Sequence, residues 1–505
     1  MTASAAISLA FVLYIGMTIS TVLIIASFNN ANAQVIELPQ FISSVTGTPF
    51  NSTSISSNEN SPPASPPQSS LSAPAAVEQQ QPSEGNGSSN QPEKQPNILP
   101  NAVHSTNPCV TYDEESHTIE IVCNTNIVDL YFGLRDDSIL EHQGSDQLLI
   151  KSNITVDEDA TLSINADGGI RYLKIIGSNG ITVYGKIQID GVKITSWNPV
   201  NNTVIPQDPF GTLPRAYLLL SGSEGSYIVN SEFGYMGYDN AGSRGVDLQN
   251  GVHDFEIRNS TFHHMWYAFY SNGAYDITID SSEYKDNYQY GIDPHSGTHD
   301  IKIINNRVHD NPIGIICSLD CYNITFEHNI VYNNSGSAIF FSRNTHDSVA
   351  RYNNIYNQQI GITFSESYNN EAYGNNITST GRAIFLNNPE NTDDGVTTNN
   401  RIYNNTIKDV SVGVAAFRTT GNVLASNHFY NVKMDYYRLN ASSSIMIDNQ
   451  EFENATIAGQ FGQNIVHIVN SGTIKVDGTN TYNTELQYDT ILSNQTLAVN
   501  SVSRE

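Results

Sequence analysis

From Phe262 onward an apolar residue recurs at a nearly fixed interval: Phe262, Tyr284, Val308, Val331, Ile355, Ile377, Ile407, Phe429 and Phe452. The steps are 22, 24, 23, 24, 22, 30, 22 and 23 residues. A second series of small residues keeps the same beat: Ala268, Gly291, Gly314, Ala338, Gly361, Ala383 and Gly413. Two registers sharing one short period mark a repeat architecture, in which each unit buries its apolar face only by stacking on the next. Within a unit the runs alternate with period 2, as in Asp276-Ile277-Thr278-Ile279-Asp280 and Asp300-Ile301-Lys302-Ile303-Ile304. Such runs read as short strands with one buried face, separated by Asn, Gly, Asp and Ser turns. Three strands fit in one period at a rise of about 3.3 Å per residue. After residue 108 no amphipathic helix is expected, so the fold class is all-β, a parallel β-helix. Asn306, Asn329, Asn354, Asn376, Asn405 and Asn427 precede the apolar positions. They read as a structural ladder of stacked amides.

One unit breaks the apolar pattern with Tyr290-Gly291-Ile292-Asp293-Pro294-His295. Asp293 and His295 lie two apart on one strand and face the same way. Stacking aligns Asp293 with Asp247, Tyr270, Ile316, Phe340 and Thr363, and His295 with Gln249, Asn272, Ser318, Ser342 and Ser365. An acid and a histidine beside a polar strip predict an exposed groove. Asp247, Tyr270, Asn272, Ser318, Ser342 and Ser365 are its candidate substrate-binding residues. Pro294 lacks a backbone donor, which a buried central strand tolerates poorly. The register extends upstream, where Arg244-Gly245-Val246-Asp247 matches Tyr267-Ala268-Phe269-Tyr270. Residues 197–213 and 388–398 read as insertions over the coil, and loops on a rigid scaffold often carry binding.

The rest of the chain bounds where and on what it acts. Residues 1–33 hold an apolar run ending in Ala31-Asn32-Ala33 and read as a signal peptide, with an uncleaved N-terminal membrane anchor as the alternative. Residues 34–107 are rich in Ser, Pro, Asn and Gln and read as a disordered stalk. The β-helix then spans residues 108–454, and residues 455–505 form a C-terminal β cap. This layout predicts a secreted or cell-surface protein, and a monomer. Cys109/Cys123 and Cys317/Cys321 are expected to form two disulfides, given an export signal and close spacing. With 50 acidic against 23 basic residues the net charge is −27, and no basic stripe is present, which excludes nucleic acid as a partner. A polyanionic substrate would need cations or a local basic patch.

The Tyr290–His295 segment resembles the YG[FI]DPH segment of the mannuronan C-5 epimerases, right-handed parallel β-helix enzymes that edit alginate. Ser196-Trp197-Asn198, Ala216-Tyr217-Leu218-Leu219, Arg244-Gly245-Val246 and Ser342-Arg343-Asn344-Thr345 are similar to coils of the periplasmic type. The likeness covers roughly residues 165–390. It implies a right-handed coil of about ten or more turns and a polysaccharide partner, a uronate polymer or an envelope glycan. It also implies chemistry at C5. That proton is weakly acidic, so the neighbouring carboxylate must be neutralised while a base and an acid flank the ring. By resemblance His295 is the base and Tyr290 the acid, or the reverse. Asp293 orients His295 or holds the carboxylate protonated, and Arg343 neutralises it. The segment departs from the family where Ser296 follows His295, where Ile313 and Ser337 stand in place of a second histidine, and where Leu319 stands in place of an arginine.

No cofactor is required by the sequence. Calcium, used by some members of that group, is admissible, although Asp239, Asp247 and Asp286 read as turn acids by default. Polyuronate lyases share the first step and expel O4 instead. A surface β-helix that binds glycans without catalysis is the remaining alternative.

Overall fold

In the computed structural model of the protein, residues 106–389, 396–419 and 421–432 are described in full. Outside these spans only strand backbones are described, from Ala102–Val103 to Ala498–Val499. The expected signal segment and almost all of the expected stalk lie outside the described residues.

The chain winds into a right-handed parallel β-helix. One 18-stranded and two 15-stranded sheets run along its length, and each coil contributes a strand to each. The apolar series stacks as its period requires. Phe262 pairs with Tyr284, Tyr284 with Val308, and so on through Ile355, Ile377, Ile407 and Phe429 to Phe452. The side chains from Phe262 to Phe429 form one column of a continuous core and are buried. In the first sheet the small-residue series sits where the coil turns the corner. A Cβ on Gly291 would stand 2.6 Å from the Gly314 carbonyl and 2.7 Å from Val308, which explains the small residue there. Parallel pairing continues past residue 454 through Ala455–Gly459, Val466–Val469 and Ile474–Asp477.

Stacked asparagines line the corners, but not all of those the sequence suggested. The ladder runs Asn306, Asn329, Asn353, Asn375, Asn405, Asn427, each amide donating to the next at 2.9–3.1 Å. Asn354 and Asn376 are exposed strand residues. The ladder position is two before the apolar residue, and at Asn353-Asn354 and Asn375-Asn376 the sequence offers both. Each buried amide also satisfies a turn, as when Asn329 donates to the Ile303 carbonyl and accepts from the Asn306 N–H. Two further ladders, Asn287–Asn311–Asn334 and Asn370–Asn400–Asn422, line other corners.

A helix, not expected after residue 108, spans Ile127–Leu134. Asn126 caps it by accepting from the N–H groups of Val128 and Asp129. Ile127, Leu130 and Leu134 are buried and close the N-terminal end of the core. Eight residues are too few to show helical periodicity in the sequence. Beside the helix, Cys109–Cys123 is a disulfide that staples the antiparallel pair Val110–Asp113 and Thr118–Ile121, as expected.

Candidate active site

The first sheet builds the site. Strands Gly245–Gln249, Tyr267–Asn272, Tyr290–His295, Ile313–Ser318, Ser337–Ser342 and Ile360–Ser365 pair in parallel. Their outward positions form three columns, in the register read from sequence. The central column runs Leu219, Asp247, Tyr270, Asp293. One flank carries Ser221, Gln249, Asn272, His295, Ser318, Ser342 and Ser365. The other carries Tyr267 and Tyr290, the latter paired with Ile313.

Pro294 does sit in a buried central strand, contrary to expectation. The ladder accommodates it by interruption: Ile292 and His295 pair with Ile315 and Ser318, with no pairing at Asp293 and Pro294. Its position alternates inward, in register with Ser271 of the preceding coil.

Four rings surround Asp293. Tyr290 meets Tyr267 edge-on at 5.1 Å, Tyr267 meets Tyr270 at 5.6 Å, and Tyr270 meets His295 at 5.4 Å. Two arginines close the bowl along the helix axis. Arg244 lays its guanidinium 4.3 Å over the Tyr270 ring and pairs with Asp247 at 3.7 Å. Arg343 turns back from two coils beyond, binds Ser318 Oγ at 2.8 Å and reaches His295 Nε2 at 3.4 Å. It leaves the corner with φ of 44°, a left-handed position that aims the side chain back along the axis. His295 Nδ1 meets Ser296 Oγ at 2.5 Å, so the departure at Ser296 supplies the imidazole with a local partner.

The expected open groove is more closed than the sequence implied. Tyr270, Ser318, Ser342, Ser365 and Asp247 are buried, while Asn272 and His295 are half-buried. Arg244 covers Tyr270 and Arg343 covers Ser318, and neither covering is visible in strand alternation. Arg343 is brought to His295 as expected. Arg244 and Tyr267 were not expected as site residues. Arg244 had been legible only as part of the register, one residue before a small-residue position. Lys285, His264 and His309 lie at the third sheet and take no part here.

Burial governs the charges. Desolvation, helped by Arg343 and Arg244, pushes His295 down to about 4, so the imidazole is neutral at pH 7. Asp293 is pushed well up by burial, against the pull of Arg244 and Arg343, which favours its neutral form. Its Oδ1 is buried with no hydrogen-bond partner. A buried orphan oxygen in a site calls for a ligand that completes it. Burial likewise raises Tyr270 to about 12 and lifts Tyr267 well above its ordinary value.

Cys317 and Cys321 correct an expectation: both are free thiols, and both are buried. Cys317 points into the core column, while Cys321 donates to the carbonyls of Ser318 at 3.2 Å and Pro294 at 3.4 Å. The thiol thus pins the corner beneath His295 without a covalent bond. Among the described residues no three His, Cys, Asp or Glu converge on one point. Asp247 is engaged by Arg244 and Gln249, and Asp239 and Asp286 are exposed.

The insertion at 197–213 forms a wall beside Tyr267 and Tyr290. Its hairpin pairs Trp197–Asn198 with Thr203–Val204, Tyr288 donates to the Pro209 carbonyl, and Gly211 lies against the buried Trp266. Trp266 stacks on Tyr288 at 4.8 Å, just before Tyr290. Within the second insertion residues 390–395 lie outside those described.

A family described as right handed beta helix region matches residues 244–393. The chain is 29% identical over 209 residues to a mannuronan C5-epimerase of Pseudomonas putida, covering 38% of this chain and 39% of that one. It is 31% identical over 171 residues to a mannuronan C5-epimerase of Pseudomonas syringae pv. tomato, covering 31% of each. It therefore spans less than two-fifths of the length of these relatives. Among solved structures, the periplasmic alginate epimerase AlgG superposes with a TM-score of 0.51 at 21% identity, over 74% of this chain and 85% of that one. At that identity the likeness speaks for the fold.

Proposed function

We propose that this protein is a mannuronan C5-epimerase, an isomerase acting on a uronate polymer by proton abstraction and return. The observation that carries the reading is His295 held 3.4 Å from the Arg343 guanidinium, beside a buried Asp293 with an unsatisfied oxygen. The similarity to enzymes of that name supports it.

The strand direction explains the division of roles. Strands run across the helix axis, so a polymer lying along the axis over Asp293 has Tyr290 on one side and His295 on the other. His295 Nε2 takes the C5 proton. The electron pair moves into the carboxylate, where Arg343 and the Asp293 O–H offset the growing charge. Tyr290 O–H returns a proton from the opposite face, inverting C5, and solvent resets both groups. Loss of O4 in place of reprotonation would give elimination, so the same residues serve a lyase if Tyr290 is displaced.

In keeping with this reading the protein works outside the cytoplasm. The Cys109–Cys123 disulfide needs an oxidising compartment, and a solved structural neighbour is described as periplasmic. Calcium is proposed at most as a screen for the polyanion, bound with the substrate.

The test is product analysis. Poly-mannuronate is incubated with the full chain and with His295→Ala, and NMR reads the sugar signals. Guluronate signals from the wild type alone are expected. Unsaturated ends would make it a lyase. Unchanged polymer with retained binding would make it a glycan-binding surface protein.

A further inference from the structure

Two coils before the reactive strand, a cavity of 370 Å³ opens on the same face, lined among others by Tyr184, Ser221, Arg244, Gln249, Tyr270 and Asn272. We infer that it is a second carboxylate subsite, in which Arg244 holds a uronate ring about two sugars away from the ring being turned over. The inference rests on the proposed polyuronate substrate and deepens it.

Arg244 is placed for this task and underused without it. A guanidinium has five donors in a rigid fork suited to a carboxylate. Among the described residues its side chain makes one long ion pair, 3.7 Å to Asp247, and no hydrogen bond. Asp247 is already engaged by Gln249 Nε2, and burial raises its affinity for a proton, which weakens its claim on the arginine. Gln249 in turn accepts from Asn272 at 3.0 Å. This chain of contacts fixes the arginine's support and leaves Asn272 Oδ1 without a hydrogen bond among the described residues, turned over as an acceptor for a sugar hydroxyl. Tyr184, 45% exposed, adds a ring at the far end.

Spacing ties the two sites together. Gln249, Asn272 and His295 occupy one flank at one position per coil. Neighbouring coils are about 4.8 Å apart, so the Gln249 coil lies about 10 Å from the His295 coil. A polymer laid along the axis with one ring per coil would place one carboxylate at Arg343 and another, two rings away, at Arg244. The two arginines also answer the net charge of −27: each is a local positive point in a negative field.

The experiment compares mannuronate oligomers of three and of six or more units. Wild type, Arg244→Gln and Arg244→Lys are assayed for C5 exchange, and binding is measured separately in a His295→Ala background. For long oligomers Arg244→Gln is expected to raise KM and Kd about tenfold or more, the loss expected for a charge-assisted contact. Trimers that reach only the reactive centre should show a clearly smaller rise in KM than long oligomers, and Arg244→Lys should recover part of the loss. An equal rise for trimers and long oligomers would overturn the subsite, since Arg244 would then act on the centre itself. No rise at either length would overturn it too. Should Arg244→Gln lose stability, Arg244→Gln/Asp247→Asn keeps the pair neutral and takes its place. Absence of C5 exchange in the wild type, with Arg244-dependent binding of long oligomers intact, would sink the epimerase reading and leave the subsite standing.

Discussion

At the scale of single residues, burial moves the proton affinities of two groups in opposite directions, His295 down and Asp293 up. His295 is pushed below its ordinary 6.5 to about 4. Between those values the unfolded chain takes up a proton that the folded imidazole refuses, so its contribution to stability falls as pH drops through that window. For activity the same shift predicts an acid limb near pH 4. Arg343→Gln removes one cause of the depression and should move that limb upward while costing about 10²-fold or more in kcat, the range for lost charge stabilisation. A limb that stays in place would show that Arg343 does not face the imidazole in solution. Asp293 shifts the other way, toward the neutral form, which an amide mimics. Asp293→Asn should therefore melt no lower than wild type at pH 7 and retain more activity than Asp293→Ala; thermal melts and initial rates check both. The sequence showed His295, Asp293 and Tyr290 because they break a periodic pattern. It did not show Arg244, because an arginine next to a small residue breaks nothing until Tyr270 is known to lie beneath it.

At the scale of elements, the period of the repeat decided nearly every strand, since each coil copies the geometry of the last. Position within a corner was less legible. Asn353 and Asn354 are both asparagine, and only the hydrogen bonds distinguish the buried ladder member from its exposed neighbour. Asn353→Ala takes the acceptor from the Asn329 backbone N–H and leaves the Asn329 amide with the Ile303 carbonyl alone; it should cost about 1–3 kcal/mol, whereas Asn354→Ala should stay within about 0.5 kcal/mol. Chemical denaturation of the two variants side by side decides it, and equal losses would contradict the ladder. Pro294 and the helix Ile127–Leu134 mark the two ways the pattern misled. A proline is tolerated in a central strand when the ladder skips it, and a helix can be too short to show a period.

For the whole molecule, cysteine usage and charge make separate predictions. Cys317 and Cys321 are buried thiols, while Cys109 and Cys123 are joined. A thiol reagent should find no reactive groups in the native protein and two per chain after denaturation without reductant. Four with reductant would complete the count, and none without it would restore the second disulfide that the spacing suggested. The charge of −27 would repel the proposed polyuronate at long range, while Arg244 and Arg343 would attract it only at the groove. Raising ionic strength to about 0.15 M shortens the Debye length to about 8 Å and screens the long-range part first, so KM for the polymer should fall. A KM that rises with salt would mean that the groove's arginines dominate even at a distance.

The central claim is that His295 removes a proton from C5 of a uronate, and isotope exchange tests it most directly. Poly-mannuronate would be incubated with the full chain in deuterated water, with and without calcium, and deuterium at C5 followed by NMR. The account predicts incorporation at C5 together with guluronate signals, and loss of both in His295→Ala. Polymer that stays undeuterated under both conditions, or exchange that survives in His295→Ala, would contradict it.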